Sequence, residues 1–195
     1  MLCLGVLASL QEVIVAVATD RAVRRRFARE REAVLASYEL GARELAALRA
    51  LPIDAIDRYA ASLEHKRWGE LARVVPRTLR VVPSLPHIYM RWLGAHPAPA
   101  HFTVLSPGAS EGVRALAALR AALADERHAD YAADLVTYEV LAAASREDGE
   151  PRGFASRFAI HAVARAIDSG GIPIDPDPAP HAYRFARERV EWRPA

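Results

Sequence analysis

The stretch from Pro52 to Pro76, PIDAIDRYAASLEHKRWGELARVVP, decides how the chain is read. Ile53, Ile56, Ala60, Leu63, Leu71 and Val74 recur at helical spacing, with Arg67 in the same stripe. That spacing predicts a helix with one buried and one wet face. Pro52 suits a first helical turn, where a missing N–H costs little. Asp54 and Asp57 suit the positive end of the helix dipole. Pro76 ends the run, because the residue before a proline is pushed out of helical geometry. Two features go beyond a plain amphipathic helix. Lys66, the only lysine, lies beside Arg67 and Trp68, and Tyr59 lies two turns upstream. Either Tyr59 and Trp68 pack while Lys66 and Arg67 snorkel, or this is a docking face for another protein.

Further helices are expected on both sides. Residues 2–18 predict a first helix, with Leu4, Leu7, Ile14 and Val15 among its buried positions. Asp20 is a natural N-cap for a second helix over 21–36, with Phe27, Val34 and Leu35 facing inward. Arg24, Arg25 and Arg26 could contact phosphate, but Glu30 and Glu32 follow at once, as on a solvated helix face. Residues 42–50 form a short helix after Gly41. Beyond Pro76, HIYMRWL predicts a helix carrying Tyr89, Met90 and Trp92. GAHPAPA, residues 94–100, reads as an extended connection. Helices over 110–124 and 127–145 follow, the first with Val113, Leu116, Leu119 and Leu123 on one stripe. The second carries Tyr131, Leu135 and Tyr138.

The C-terminal part is ambiguous. Residues 146–153 are a charged, glycine- and proline-bearing break. In 157–166, Phe158, Ile160, Ala162 and Ala164 alternate with Arg157, His161 and Arg165, which suits a strand. Tyr183 alternates with Phe185, and Val190 with Trp192. The expectation is an antiparallel pairing of 157–166 with 181–193. The fold class is therefore mostly α: a helical lobe over 1–94, then a second lobe over 101–195 with a small C-terminal antiparallel β element.

Composition narrows the function. A chain of 195 residues has room for a real core. Its net charge of +2, from 26 basic and 24 acidic residues, is small for a nucleic-acid binder. The single cysteine, Cys3, fits a reducing, cytoplasmic setting and no cysteine-based metal site. The apolar opening MLCLGVLASL is too short to span a bilayer. The seven histidines are scattered singly, and no phosphate-loop, dinucleotide or nucleophile-elbow motif is present. These residues suggest a binding module and not a stand-alone enzyme, with no catalytic or metal-ligating residue to name.

The run SLEHKRWGELARVVPRTL resembles a stretch in the helical partner proteins of TIM-barrel multinuclear non-haem iron oxidases. These bufferin-type partners, and related domains fused to such oxidases, serve ribosomal-peptide (RiPP) biosynthesis. Tyr59, Ser62, Leu63, Lys66, Arg67, Leu71 and Pro76 match the family's helix motif. His87–Leu93, Pro99, Phe102, Tyr138 and Glu139 follow in similar order, as do Tyr183, Phe185, Arg187, Val190 and Arg193 near the end. The resemblance implies a non-catalytic subunit without a cofactor of its own, the iron belonging to the oxidase. It would bind the leader of a precursor peptide and present a cysteine-bearing core. On that reading, Tyr183, Phe185, Arg187, Phe158 and Ile160 would meet the peptide. Tyr59, Lys66, Arg67, Trp68, Tyr89 and Trp92 would dock the enzyme. Aromatic strand residues such as Tyr183 and Phe185 equally suit a closed core. Two other readings remain. The opening ATDRAVRRRFAREREAVLASYELGARELAAL is similar to the helical small subunit of extradiol dioxygenases, and a nucleic-acid-binding helical domain is disfavoured by charge.

Overall fold

Apolar periodicity of 3.6 over most of the length yields a chain built mainly of helices. The structure, a computed structural model, describes residues 3–96, 105–125 and 128–195. The helices are α1 (Cys3–Thr19), α2 (Arg21–Arg29), α3 (Arg31–Leu35), α4 (Ala42–Ala50), α5 (Ile53–Val74), α6 (Pro76–Val81), α7 (Leu85–Leu93), α8 (Pro107–Asp125), α9 (Ala132–Asp148) and α10 (Ile160–Asp168). The strands are β1 (Arg152–Ser156), β2 (His181–Phe185) and β3 (Val190–Pro194), forming one antiparallel sheet in the order β1-β2-β3. The chain is thus mostly α with a small C-terminal antiparallel β element. It divides into two compact units, Met1–Lys66 with Leu93–Ala100, and Arg67–Trp92 with His101–Ala195.

In the first unit Val13, Val17, Phe27, Val34, Leu35 and Leu48 form the core. Asp20 caps α2 by accepting from the N–H groups of Ala22 and Val23 at 2.7 and 3.1 Å. The expected helix over 21–36 is interrupted at Glu30, whose backbone is not helical. Arg21 and Arg24 are drawn inward onto Glu64, so they are not a free phosphate-binding cluster. Ile14 and Val15, expected inside, are 43% and 46% exposed, because α1 turns Val13 and Val17 to the core. The side chains of Leu4 and Leu7, and residues Pro99 and Phe102, lie outside the described residues.

In the second unit Tyr131, Leu135, Phe158, Ile160, Val163, Ile167, Tyr183 and Phe185 close one core between α9, α10 and the sheet. Val113, expected on the buried stripe of α8, faces out, while Leu119 and Leu123 are inside. Pro76 stops α5 and also opens α6, where its fixed backbone suits the first helical position. Gly149 ends α9 with a left-handed φ of 78°, which allows a close C-cap. The chain enters β1 immediately afterwards.

The expected pairing of 157–166 with 181–193 does not form. Ile160–Asp168 is α10, and the partner of β2 is β1, in the register Phe154↔Tyr183. Ile160, Val163, Ala164 and Ile167 are its buried residues. That is the i, i+3, i+4, i+7 stripe of a helix. The apparent alternation rested on alanines, one of which, Ala162, is exposed.

Candidate functional site

The sheet of the second unit has two long edges and one covered face. Phe154, Tyr183 and Phe185 share the inner face, where the Tyr138 ring of α9 meets Tyr183 and Phe185 edge-on at 5.5 and 5.3 Å. Tyr183 and Phe185 are buried, as are Phe158 and Ile160. Four side chains that the resemblance assigns to peptide contact therefore belong to the core. Arg187 is exposed in the short turn between β2 and β3.

The hydrogen-bond ladder fixes which groups of β3 face outward. Ala186 and Arg189 exchange backbone bonds, and the Ala195 N–H donates to the Pro180 carbonyl. With the register Arg184↔Glu191 and Ala182↔Arg193, these residues turn their N–H and C=O groups toward β2. Alternation then leaves Val190 and Trp192 with both groups pointing away from the sheet. No described residue pairs with them. Pro194 occupies the same outward parity, so its missing N–H costs the ladder nothing.

The other edge belongs to β1 and offers Gly153 and Ala155. A Cβ on Gly153 would meet the Tyr183 carbonyl oxygen at 2.7 Å, so this strand requires glycine there. Beyond Ala155 the Arg157 N–H already donates to Asp134. The β3 edge differs in having half-exposed apolar side chains, Val190 and Trp192, on the sheet's inner side. Beside Val190 lies a cavity of about 500 Å³, lined by Tyr138, Ala142 and Ala143 of α9, by Pro76, and by charged groups of α5, α6 and α9.

Trp192 rests on α10. Its ring stacks on His161 at 4.0 Å with planes 12° apart, and His181 lies 5.4 Å away. His161 Nδ1 and the Tyr183 hydroxyl are 2.9 Å apart. Burial, helped by His181 and Arg165, holds the His161 imidazole below its usual range. The neutral ring is thus favoured on folding. Stability contributed here is present above the unfolded value of about 6.5 and lost as pH falls through the depressed folded value. A protonated imidazole stacked on indole quenches its emission. The Trp192 fluorescence, taken as the difference between wild type and Trp192→Phe, should drop on acidification with a midpoint below about 6.5. A midpoint above that value would contradict the buried stack.

The residues assigned to enzyme docking fall into two groups. Tyr59 and Lys66 of the first unit are exposed, and Tyr59 borders an apolar recess of about 240 Å³ that includes Val17, Leu48 and Ile56. Arg67, Trp68, Tyr89 and Trp92 of the second unit turn inward instead. Arg67 binds Glu111 at 2.7 Å, and the Tyr89 hydroxyl donates to the same carboxylate at 2.7 Å. The Trp68 and Trp92 rings each lie 5.6 Å from Tyr89. These side chains tie α5, α7 and α8 together.

Among the described residues no group of three His, Cys, Asp or Glu side chains is placed to hold a metal. No helix among them is long and apolar enough to cross a membrane. No family model, curated protein or solved structure matches the chain.

Proposed function

We propose that the chain is the non-catalytic partner subunit of a cytoplasmic TIM-barrel multinuclear iron oxidase. In this role it takes up the leader of a ribosomally made precursor peptide as an added strand. The oxidase carries the iron, and the modification falls on the cysteine-bearing core of the peptide. The observation that carries this reading is the outer edge of β3, where Val190 and Trp192 offer unpaired N–H and C=O groups. Main-chain pairing at a free edge gives affinity, and alternate side chains give selectivity. The selecting residues are then Val190 and Trp192, while Tyr183 and Phe185 hold the sheet on its helices. The resemblance of the Tyr59–Pro76 run to oxidase partners supplies the enzyme, which would meet the exposed Tyr59 and Lys66.

Co-expression with the neighbouring genes tests this. The tagged chain should retain both a TIM-barrel oxidase and a cysteine-bearing peptide, and the peptide's mass should change only when all three are present. Val190→Pro removes an outward donor without touching the β2 ladder. It should weaken peptide capture about tenfold, the worth of one or two main-chain hydrogen bonds, and leave the oxidase bound. Retention of neither partner by the wild-type chain would refute the reading.

A further inference from the structure

The cavity beside Val190 has an uneven hydrogen-bond account. Six ionised side chains line it: Glu70, Arg73, Arg77, Glu139, Arg146 and Glu147. Five are already engaged. Glu70 pairs with Arg73 at 2.9 Å. Arg77 grips Asp168 through two bonds of 2.9 and 2.8 Å. Glu139 accepts from the N–H groups of Arg77 and Thr78 and from the Thr78 hydroxyl. Glu147 accepts from the Ser106 N–H and hydroxyl at 2.6 and 2.7 Å. Arg146 has no hydrogen bond or ion pair with any described residue, and the Tyr138 hydroxyl likewise bonds to none. The Tyr138 oxygen is not among the sealed, unsatisfied atoms, so a ligand can reach it.

The unspent groups are therefore a cation and a hydroxyl, while every carboxylate already has a donor. A guanidinium and a phenol on one cavity wall complement an acceptor-rich anion, and charge-assisted bonds are the strong ones. A lysine entering here would find only carboxylates that are already occupied. The cavity also stands where an incoming strand would point. Residues directly opposite each other on neighbouring strands project to the same face. A peptide residue opposite Val190 thus aims its side chain inward, beside Tyr138 and Ala142.

We propose that this cavity is an acidic-residue subsite. A peptide added to the β3 edge places an aspartate or glutamate, opposite Val190, against Arg146 and the Tyr138 hydroxyl. Two positions along, opposite Trp192, the peptide carries an apolar residue. The inference rests on the edge-binding reading above and adds the chemical class of peptide selected.

The test is selection of short random peptides, displayed on phage, against the full-length chain and against Arg146→Gln and Val190→Pro. Wild type should enrich sequences with Asp or Glu at one fixed position and an apolar residue two positions away. Glutamine at that position in the best clone should weaken binding to wild type about tenfold, as for one charge-assisted bond. It should change binding to Arg146→Gln little. Clones that need an intact Val190 edge but show no acidic position would overturn the subsite and leave the edge reading standing. Clones indifferent to Val190→Pro, or no enrichment at all, would overturn both.

Discussion

Glu111→Ala should lower the stability of the folded chain by about 3–5 kcal/mol, the usual result of removing one member of a buried charged network. Glu111 is only 6% exposed and accepts from Arg67, Arg114 and the Tyr89 hydroxyl. Truncation strands the Arg67 guanidinium and leaves a fully buried phenol without an acceptor. Burial and the Glu111 carboxylate both push the Tyr89 phenol upward, so it stays protonated as the donor. Removing the whole network is a different experiment. Arg67→Met, Glu111→Leu and Tyr89→Phe together replace each polar group by an apolar one of similar size. That triple variant should fall within about 1.5 kcal/mol of wild type. Urea unfolding of both proteins separates the cases. A loss below about 1 kcal/mol for Glu111→Ala would mean the network does not hold α5, α7 and α8 together.

Glu139→Ala should cost about 3 kcal/mol, or roughly 6–12 °C in melting temperature for a chain of this size. The residue is 4% exposed and caps a helix that cannot cap itself. Val75 stands at the N-cap of α6 and has no side-chain acceptor. Glu139 of α9 supplies one, receiving the N–H groups of Arg77 and Thr78 at 2.9 Å each and the Thr78 hydroxyl at 2.7 Å. Such caps satisfy donors that are otherwise orphaned at a helix start. Burial outweighs these donors and holds the carboxyl above its ordinary range. A raised carboxylate contributes stability that is full below the unfolded value, about 4.3, and is lost as pH rises through the folded one. The gap between wild type and Glu139→Ala should therefore widen on acidification. Thermal melts across the acid range measure it.

Much of the helical plan was legible because its periods are long and its punctuation is strong. The helix at Ala42–Ala50 and the stop at Pro76 both follow from local chemistry. So does the Asp20 cap. The sheet was half legible. Tyr183, Phe185, Val190 and Trp192 alternate as strands do, and they are in strands. Their partner was misplaced, since glycine and proline around 149–153 read as a break while alanines in α10 imitated a strand. The Ile160, Val163, Ala164, Ile167 spacing was the signal available there. The candidate site was less legible. Alternation says that side chains face two ways but not which way is covered. Tyr183 and Phe185 therefore could not be told from a binding pair, and the outward parity of Val190 and Trp192 needs the ladder. The inward turn of Arg67 depends on Glu111, 44 residues later, which no local pattern announces.

The cap on α6 also orders events in time. A six-residue helix has too few turns to persist alone. Its first amides wait for a carboxylate some sixty residues downstream. That loop must close before α6 has anything to hold it, so α6 consolidates only when α9 arrives, and the two should melt in one step. In deuterated water the amides of Arg77 and Thr78 would then exchange at the pace of the α9 backbone, and not at that of a fraying helix end.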